Sequence, residues 1–166
     1  QRQDARKGRA VTIGILGGGQ LGRMLALAGY PLGQRFVFLS PSPESPAGHL
    51  GELLVGSYDD PEALAELAAR CTAVTYEFES VPVEPARLLA QKVPVYPPPG
   101  ALEVAQDRFR EKTFFEQLQI PTAPFANVTT KDELTAAVKT LGLPAILKTR
   151  RFGYDGKGQA TLRTEA

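Results

Sequence analysis

The chain has no tryptophan and only one cysteine, one methionine and one histidine. A single thiol excludes an intrachain disulfide and points to a reducing compartment. Cys71 closes an alanine-rich helical stretch, where a structural thiol is expected rather than a nucleophile. His49 sits in a proline-broken loop with no second metal-type ligand beside it, so it is given no role. An excess of one charge sign is also missing. Lys and Arg number 19 against 18 Asp and Glu, a formal net charge of +1, which argues against a general nucleic-acid binder. No stretch is long and apolar enough to span a membrane. The opening "QRQDARKGRA" lacks the apolar segment of a signal peptide, and residues 1–10 are expected to be a disordered leader. A cytoplasmic protein is expected.

What is present is ordinary soluble composition, with 43% hydrophobic and 22% charged residues over 166 positions. That length holds one domain, or one domain and part of another. "VTIGIL" runs straight into glycines and predicts a buried strand, and "QLGRMLALAG" follows with helical spacing. "RFVFLS" predicts a second strand, and "PSPESPAGHLG" a proline- and serine-rich loop. Asp60 as N-cap, Pro61 at the first helical position and Glu62 in the first turn mark the start of the next helix. "AVTY" predicts a strand, "VEPARLLAQK" a helix and "VPVY" another strand. This alternation implies an α/β fold with a parallel sheet covered on both faces. The prolines at 97–99 predict a linker. Beyond it come a helix over "LEVAQDRFREKTFFEQLQ", a helix over about 132–141, and a strand "PAILK". The expected domains are therefore 11–100 and an incomplete unit at 101–166.

Two glycine clusters carry the chemistry. "GGGQLG" at 17–22 satisfies G-x-G-x-x-G between a strand and a helix. Free amides and the helix dipole make such a turn an anion site, with Gly19, Gln20 and Leu21 at its mouth. A dinucleotide site also wants an acid at the end of the second strand. Here that strand ends at Ser40-Pro41, and Glu44 lies further out, so a smaller phosphorylated ligand or a tight structural turn is favoured over a nicotinamide dinucleotide. Glu77 and Glu79 of "YEFES" leave the end of a strand, where open parallel sheets place their ligands. If extended, they point the same way, although solvated surface acids are the plainer account. The second cluster is "KTRRFGYDGKGQ" at 148–159. Its glycines permit close backbone approach and its cations point to an anionic ligand. A hairpin tip with solvated charges is the alternative. Arg150, Arg151 and Lys157 are expected to have no acidic partner nearby except Asp155.

The ordered set "GGGQLGRML", "YEFESVP", "AQDRFREKTFFEQLQIPTAPF" and "LGLPAILKTRRFGYDGKGQ" resembles the N5-carboxyaminoimidazole ribonucleotide synthetase family of the ATP-grasp superfamily, from about residue 11 onwards. Gly153-Tyr154-Asp155-Gly156 is similar to that family rather than to glycinamide ribonucleotide formyltransferase, which has small serines there. The resemblance implies a Rossmann-like pre-ATP-grasp domain followed by the beginning of an ATP-grasp domain. It implies ATP-dependent carboxylation of aminoimidazole ribonucleotide by bicarbonate, in purine biosynthesis. Lys148 would meet the α-phosphate. Gly153, Tyr154, Asp155, Gly156, Lys157, Gly158 and Gln159 would close over the β- and γ-phosphates, with Arg108 also on the nucleotide. Tyr154 and Asp155 would face the bicarbonate or the substrate amine, with Lys157 aiding the chemistry. Gly19, Gln20, Leu21 and Glu77 would bind the ribonucleotide. ATP and Mg²⁺ are the implied cofactors, a homodimer the implied assembly, and nucleic acid and membrane are not implied partners. The family's adenine lid, acidic metal ligands and substrate-phosphate cations have no counterpart up to Ala166, so a truncated chain without turnover of its own is expected. Other ATP-grasp ligases, a dinucleotide-dependent oxidoreductase and a non-catalytic binding module are the alternatives.

Overall fold

A computed structural model describes residues 11–153 and 155–164. The expected leader at 1–10 and every expectation placed on Tyr154 lie outside the described residues. The chain divides into two compact units, one up to Leu102 and one from Glu103.

The first unit is a parallel sheet with helices. Strands β1 (Thr12–Leu16), β2 (Arg35–Ser40), β3 (Glu52–Val55) and β4 (Ala73–Tyr76) lie in the order β3-β2-β1-β4, every pairing parallel. Helix α1 (Gln20–Gly29) connects β1 to β2, α2 (Pro61–Arg70) connects β3 to β4, and α3 (Val83–Ala90) follows β4. Strand periodicity divides the core in two. On β2, Phe36 and Phe38 face one way and pack with Ile15 and Ala26 of α1. Val37 and Leu39 face the other way, with Leu64 and Leu67 of α2 and Leu89 of α3. Gly29 is required where α1 passes β2, because a Cβ there would strike the Phe36 ring. Asp60 caps α2 as its sequence predicts, its Oδ1 accepting from Glu62 N at 2.9 Å and Ala63 N at 3.4 Å.

Several elements differ from the sequence expectation. β3 lies inside a stretch with no strand pattern: its four residues sit at the sheet edge between Gly51 and Gly56, too short to show alternation. The expected strand at 93–96 is one parallel bridge, Val74 to Val95. Pro94 and Pro97 flank it and cannot donate to a ladder. The expected linker at 97–100 instead opens a helix, α4 (Pro99–Ala105), since proline is well tolerated in a helix's first turn. The single long helix expected over 102–119 is broken. α4 ends before Asp107, whose side chain caps a new helix, α5 (Arg108–Gln117).

The second unit holds α5, α6 (Lys131–Leu141) and an antiparallel hairpin of β5 (Ala145–Lys148) and β6 (Gln159–Leu162). α6 starts on a capping box in which Thr130 and Glu133 each satisfy the other's backbone amide. β6, implied only by the hairpin-tip alternative, makes the glycine-rich segment the connection of a hairpin.

Cys71 behaves as a structural thiol. Its Sγ would lie 2.9 Å from a Cβ added at Gly14 of β1, and burial pushes its pKa up from 9.0 to about 11. A raised folded-state pKa gives a share of stability that is complete below about pH 9 and is lost as pH rises through about 11. Two pKa units correspond to about a hundredfold less thiolate. Iodoacetamide at pH 8 is therefore expected to label Cys71 far more slowly in the native protein than in urea. Equal rates would contradict the burial.

Candidate functional site

In the first unit the site lies where the sheet changes direction. From β1 the chain steps to β2 on one side, and β4 later adds on the other, so the carboxyl ends of β1 and β4 flank a switch point. The glycine turn leaves β1 and Glu77 leaves β4. Gly17 adopts φ +118°, a backbone that favours glycine. Gly19 occupies the N-cap of α1 and has no side chain to offer the exposed amides. Glu77 reaches across and supplies one. Its Oε1 accepts from Gly19 N at 2.8 Å and its Oε2 accepts from Gly22 N. A Cβ at Gly19 or Gly22 would lie 2.8 Å from that carboxylate, and one at Gly17 would overlap the Glu77 side chain. The three glycines of the G-x-G-x-x-G pattern therefore make room for a carboxylate of the protein itself. An anion does sit at the helix N-terminus, but it is Glu77.

The outer amides, of Gln20 and Leu21, have no acceptor among the described residues, and both residues are exposed. Gly19, Gln20, Leu21 and Glu77 thus share one edge of the sheet. Glu79 does not join them. The strand ends at Tyr76 and the chain bends, leaving Glu77 half-buried and Glu79 exposed. Three further residues at this edge escaped sequence reasoning. Ser45 Oγ donates to Ser40 Oγ at 2.6 Å and both are buried. A Cβ at Gly18 would lie 2.7 Å from that of Ser45, and Ala47 N donates to Gly18 O at 2.9 Å. The space beside β2, where a dinucleotide's ribose would lie, is filled by Ser40, Ser45 and Ala47. Tyr58 is the third; burial first, then the negative charge of Glu77, pushes its phenol up, against a hydrogen bond with Ser40. Ser40 and Ser45 meet across five positions of the chain, whereas Tyr58 comes to Ser40 and Glu77 only through the fold, so no local motif marks it.

In the second unit Lys148 ends β5 opposite Gln159, and Thr149 N donates to Gly158 O at 2.8 Å. Phe152, Asp155, Gly156 and Gly158 take left-handed φ values of 60°, 54°, 79° and 69°. Gly153 and Gly158 admit the Thr149 side chain, which a Cβ at Gly153 would meet at 2.8 Å. Glycine here serves turn geometry and close approach as well as freedom of movement. Arg108 is exposed, and its Nη2 donates to Gly153 O at 2.8 Å and its amide to Arg150 O at 3.0 Å. The sequence expectation for Arg150 and Arg151 is also corrected, since Asp107 lies against both. It takes Arg150 Nε at 3.0 Å and Nη2 at 2.5 Å, with Arg151 Nε at 3.9 Å. Hydrogen bonding from Arg150 holds the Asp107 carboxyl below the usual carboxylate range. Its contribution to stability is present above that range and is lost as pH falls through the lowered value.

Residues 10–106 match the ribonucleotide synthetase preATP-grasp domain. The chain belongs to that family. Residues 113–166 match the ATP-grasp domain, so a parallel-sheet preATP-grasp domain is followed by part of an ATP-grasp domain. The chain is 54% identical over 156 residues to N5-carboxyaminoimidazole ribonucleotide synthase of Pseudomonas aeruginosa, covering 94% of this chain and 43% of that protein. The crystal structure of N5-carboxyaminoimidazole ribonucleotide synthetase from Thermus thermophilus superposes with a TM-score of 0.84 at 61% identity, covering 92% of this chain and 41% of the other. The synthase from Aspergillus clavatus, in complex with ADP and 5-aminoimidazole ribonucleotide, superposes at 0.83 with 30% identity, covering 94% and 41%. This preATP-grasp chain thus spans about two fifths of the length of these relatives.

Among the described residues, no three His, Cys, Asp or Glu side chains gather as a metal-binding group. No helix among them is long and apolar enough to cross a membrane.

Proposed function

We propose that the full-length polypeptide carrying this chain is a cytoplasmic ATP-dependent ligase that carboxylates 5-aminoimidazole ribonucleotide with bicarbonate. The observation that carries this is the pairing of two built sites in family order. One is an amide-and-carboxylate edge at a sheet switch point, and the other is a lysine-led glycine loop gripped by Arg108. The similar synthase bound to ADP and 5-aminoimidazole ribonucleotide supports the choice of substrates.

In this proposal the first unit holds the ribonucleotide. The amides of Gln20 and Leu21 are outward donors, and Glu77, fixed by Gly19 and Gly22, is an acceptor for an N–H or hydroxyl of the substrate. Because Glu77 already fills the inner amides, the substrate phosphate binds elsewhere. The second unit holds ATP: Lys148 opposes the α-phosphate, while Lys157 and the amides of residues 153–159 oppose the β- and γ-phosphates. A bicarbonate oxygen attacks the γ-phosphorus, releasing ADP and forming carboxyphosphate. The substrate amine then attacks the carboxyl carbon, and phosphate leaves. Both steps gather negative charge on transferring oxygens, which fixed cations and amides stabilise. Mg²⁺ bound with the nucleotide would neutralise the same oxygens; no ligand for it is assigned among the described residues. Asp155 and Tyr154 are assigned to the bicarbonate or amine side of the loop, and the assembly is proposed to be a homodimer.

Assay of the full-length polypeptide is expected to show ADP release that needs bicarbonate, Mg²⁺ and 5-aminoimidazole ribonucleotide together. Release that ignores this ribonucleotide but requires another amine acceptor would assign a different ATP-grasp ligase.

A further inference from the structure

Asp107 stands apart from the residues assigned above to nucleotide or substrate. It is 5% exposed, the one charged residue among the described residues to be buried so deeply. Both of its oxygens are used. Oδ1 accepts from Phe109 N at 3.0 Å, Arg110 N at 3.3 Å and Arg150 Nε at 3.0 Å, and Oδ2 accepts from Arg150 Nη2 at 2.5 Å. Arg150 lies two residues beyond Lys148. Its guanidinium also stands over the Phe109 ring, 5.3 Å from the centroid, and Nη1 donates to Asn127 Oδ1 at 3.4 Å. The neighbouring Arg108 holds the same arm of the loop at Arg150 O and Gly153 O. One helix start therefore grips the loop at residues 150 and 153. An exposed ion pair is worth little, but a buried carboxylate taken by a guanidinium fork is directional.

We propose that Asp107 is a positioning residue for the phosphate loop: acting through Arg150, it fixes the outgoing arm so that Lys148 and the glycine amides face the nucleotide. This rests on the ATP-ligase reading. Donors fixed in advance need no reorganisation as charge develops, so a loop released at its root binds and aligns the nucleotide poorly even though every phosphate-facing group is retained.

The test uses the full-length polypeptide with Asp107→Asn and Arg150→Lys. Asparagine still caps the helix but turns an amide group towards the guanidinium. Lysine keeps the charge and loses the fork. Calorimetric titration with ATP, steady-state kinetics, thermal melts and hydrogen exchange over residues 149–158 are measured together. Each variant is expected to fold, to bind ATP about tenfold more weakly and to raise KM for ATP. KM for the ribonucleotide should stay within about twofold, exchange over residues 149–158 should quicken, and the double variant should be no worse than the weaker single one. Wild-type ATP affinity and loop exchange in both variants, with only the melting temperature lowered, would make Asp107 a helix cap and overturn the proposal. A wild-type protein that binds no ATP would instead overturn the ligase reading itself.

Discussion

Replacing Lys148 with alanine in the full-length polypeptide is expected to lower kcat/KM for ATP by roughly 10- to 100-fold, mostly through KM, because a charged contact to a bound phosphate is worth about 1.5–3 kcal/mol. Lys148 ends β5, where pairing with Gln159 sets its backbone, and its side chain is exposed. Arg108 is committed to Gly153 O and Arg150 to Asp107, so neither is placed to substitute for it. Lysine suits the position because a compact ammonium can meet a phosphate from several directions. Because the side chain is exposed, stability should change by no more than about 0.5 kcal/mol. Lys157→Ala should act differently, lowering kcat more than it raises KM for the ribonucleotide, since it opposes charge at the transferring phosphate. Steady-state kinetics with urea unfolding of the same samples separates the effects. An alanine variant at position 148 within threefold of wild type would remove the lysine from the nucleotide site.

Glu77→Ala is expected to destabilise the first unit by about 2–4 kcal/mol, because two amides at the start of α1 lose a charged acceptor and an unmet bond of this kind costs roughly 1–3 kcal/mol. The helix's positive end also loses its counter-charge. Glu77→Gln separates geometry from charge. Its side chain has one acceptor oxygen and one NH₂ group, so it can serve Gly19 N or Gly22 N but presents a donor to the other. About half the loss is expected, because one of the two bonds survives. Both variants should also raise KM for the ribonucleotide. Urea unfolding followed by far-UV dichroism checks the first claim. If Glu77→Gln proved as stable as wild type, the carboxylate would not be the cap that its hydrogen bonds describe.

Much of the fold was legible because it is local. The apolar runs "VTIGIL", "RFVFLS" and "AVTY" marked β1, β2 and β4, and Asp60-Pro61-Glu62 announced the start of α2. The gaps fell where local signal is weak or divided. β3 has four residues at an edge, and β6 follows a glycine-rich segment that hides its pairing with β5. The helix expected over 102–119 kept its apolar spacing across Asp107, so periodicity could not show that Asp107 would leave one helix to cap the next. The site was legible in part. Both glycine clusters and the missing acid after Leu39 were visible, whereas the Ser40–Ser45 bond, Tyr58 and the acid partner of Arg150 were not: two serines five apart carry no motif, and Tyr58 and Asp107 lie far in sequence from the groups they meet.

By itself the sequence determined the two glycine turns and the lysine at the end of a strand, because each rests on neighbours within about one element, and the α/β class and the family resemblance, because both rest on the order of local patterns along the chain. Only the tertiary structure decided what those turns hold. Strand order 3-2-1-4 brings the end of β4 beside the end of β1, so Glu77 becomes the anion that Gly17, Gly19 and Gly22 make room for. The start of α5 lies against the β5–β6 connection, so Asp107 becomes the partner of Arg150. A carboxylate needs only a donor within hydrogen-bond reach, and strand order and helix placement, not distance along the chain, decide which donor that is.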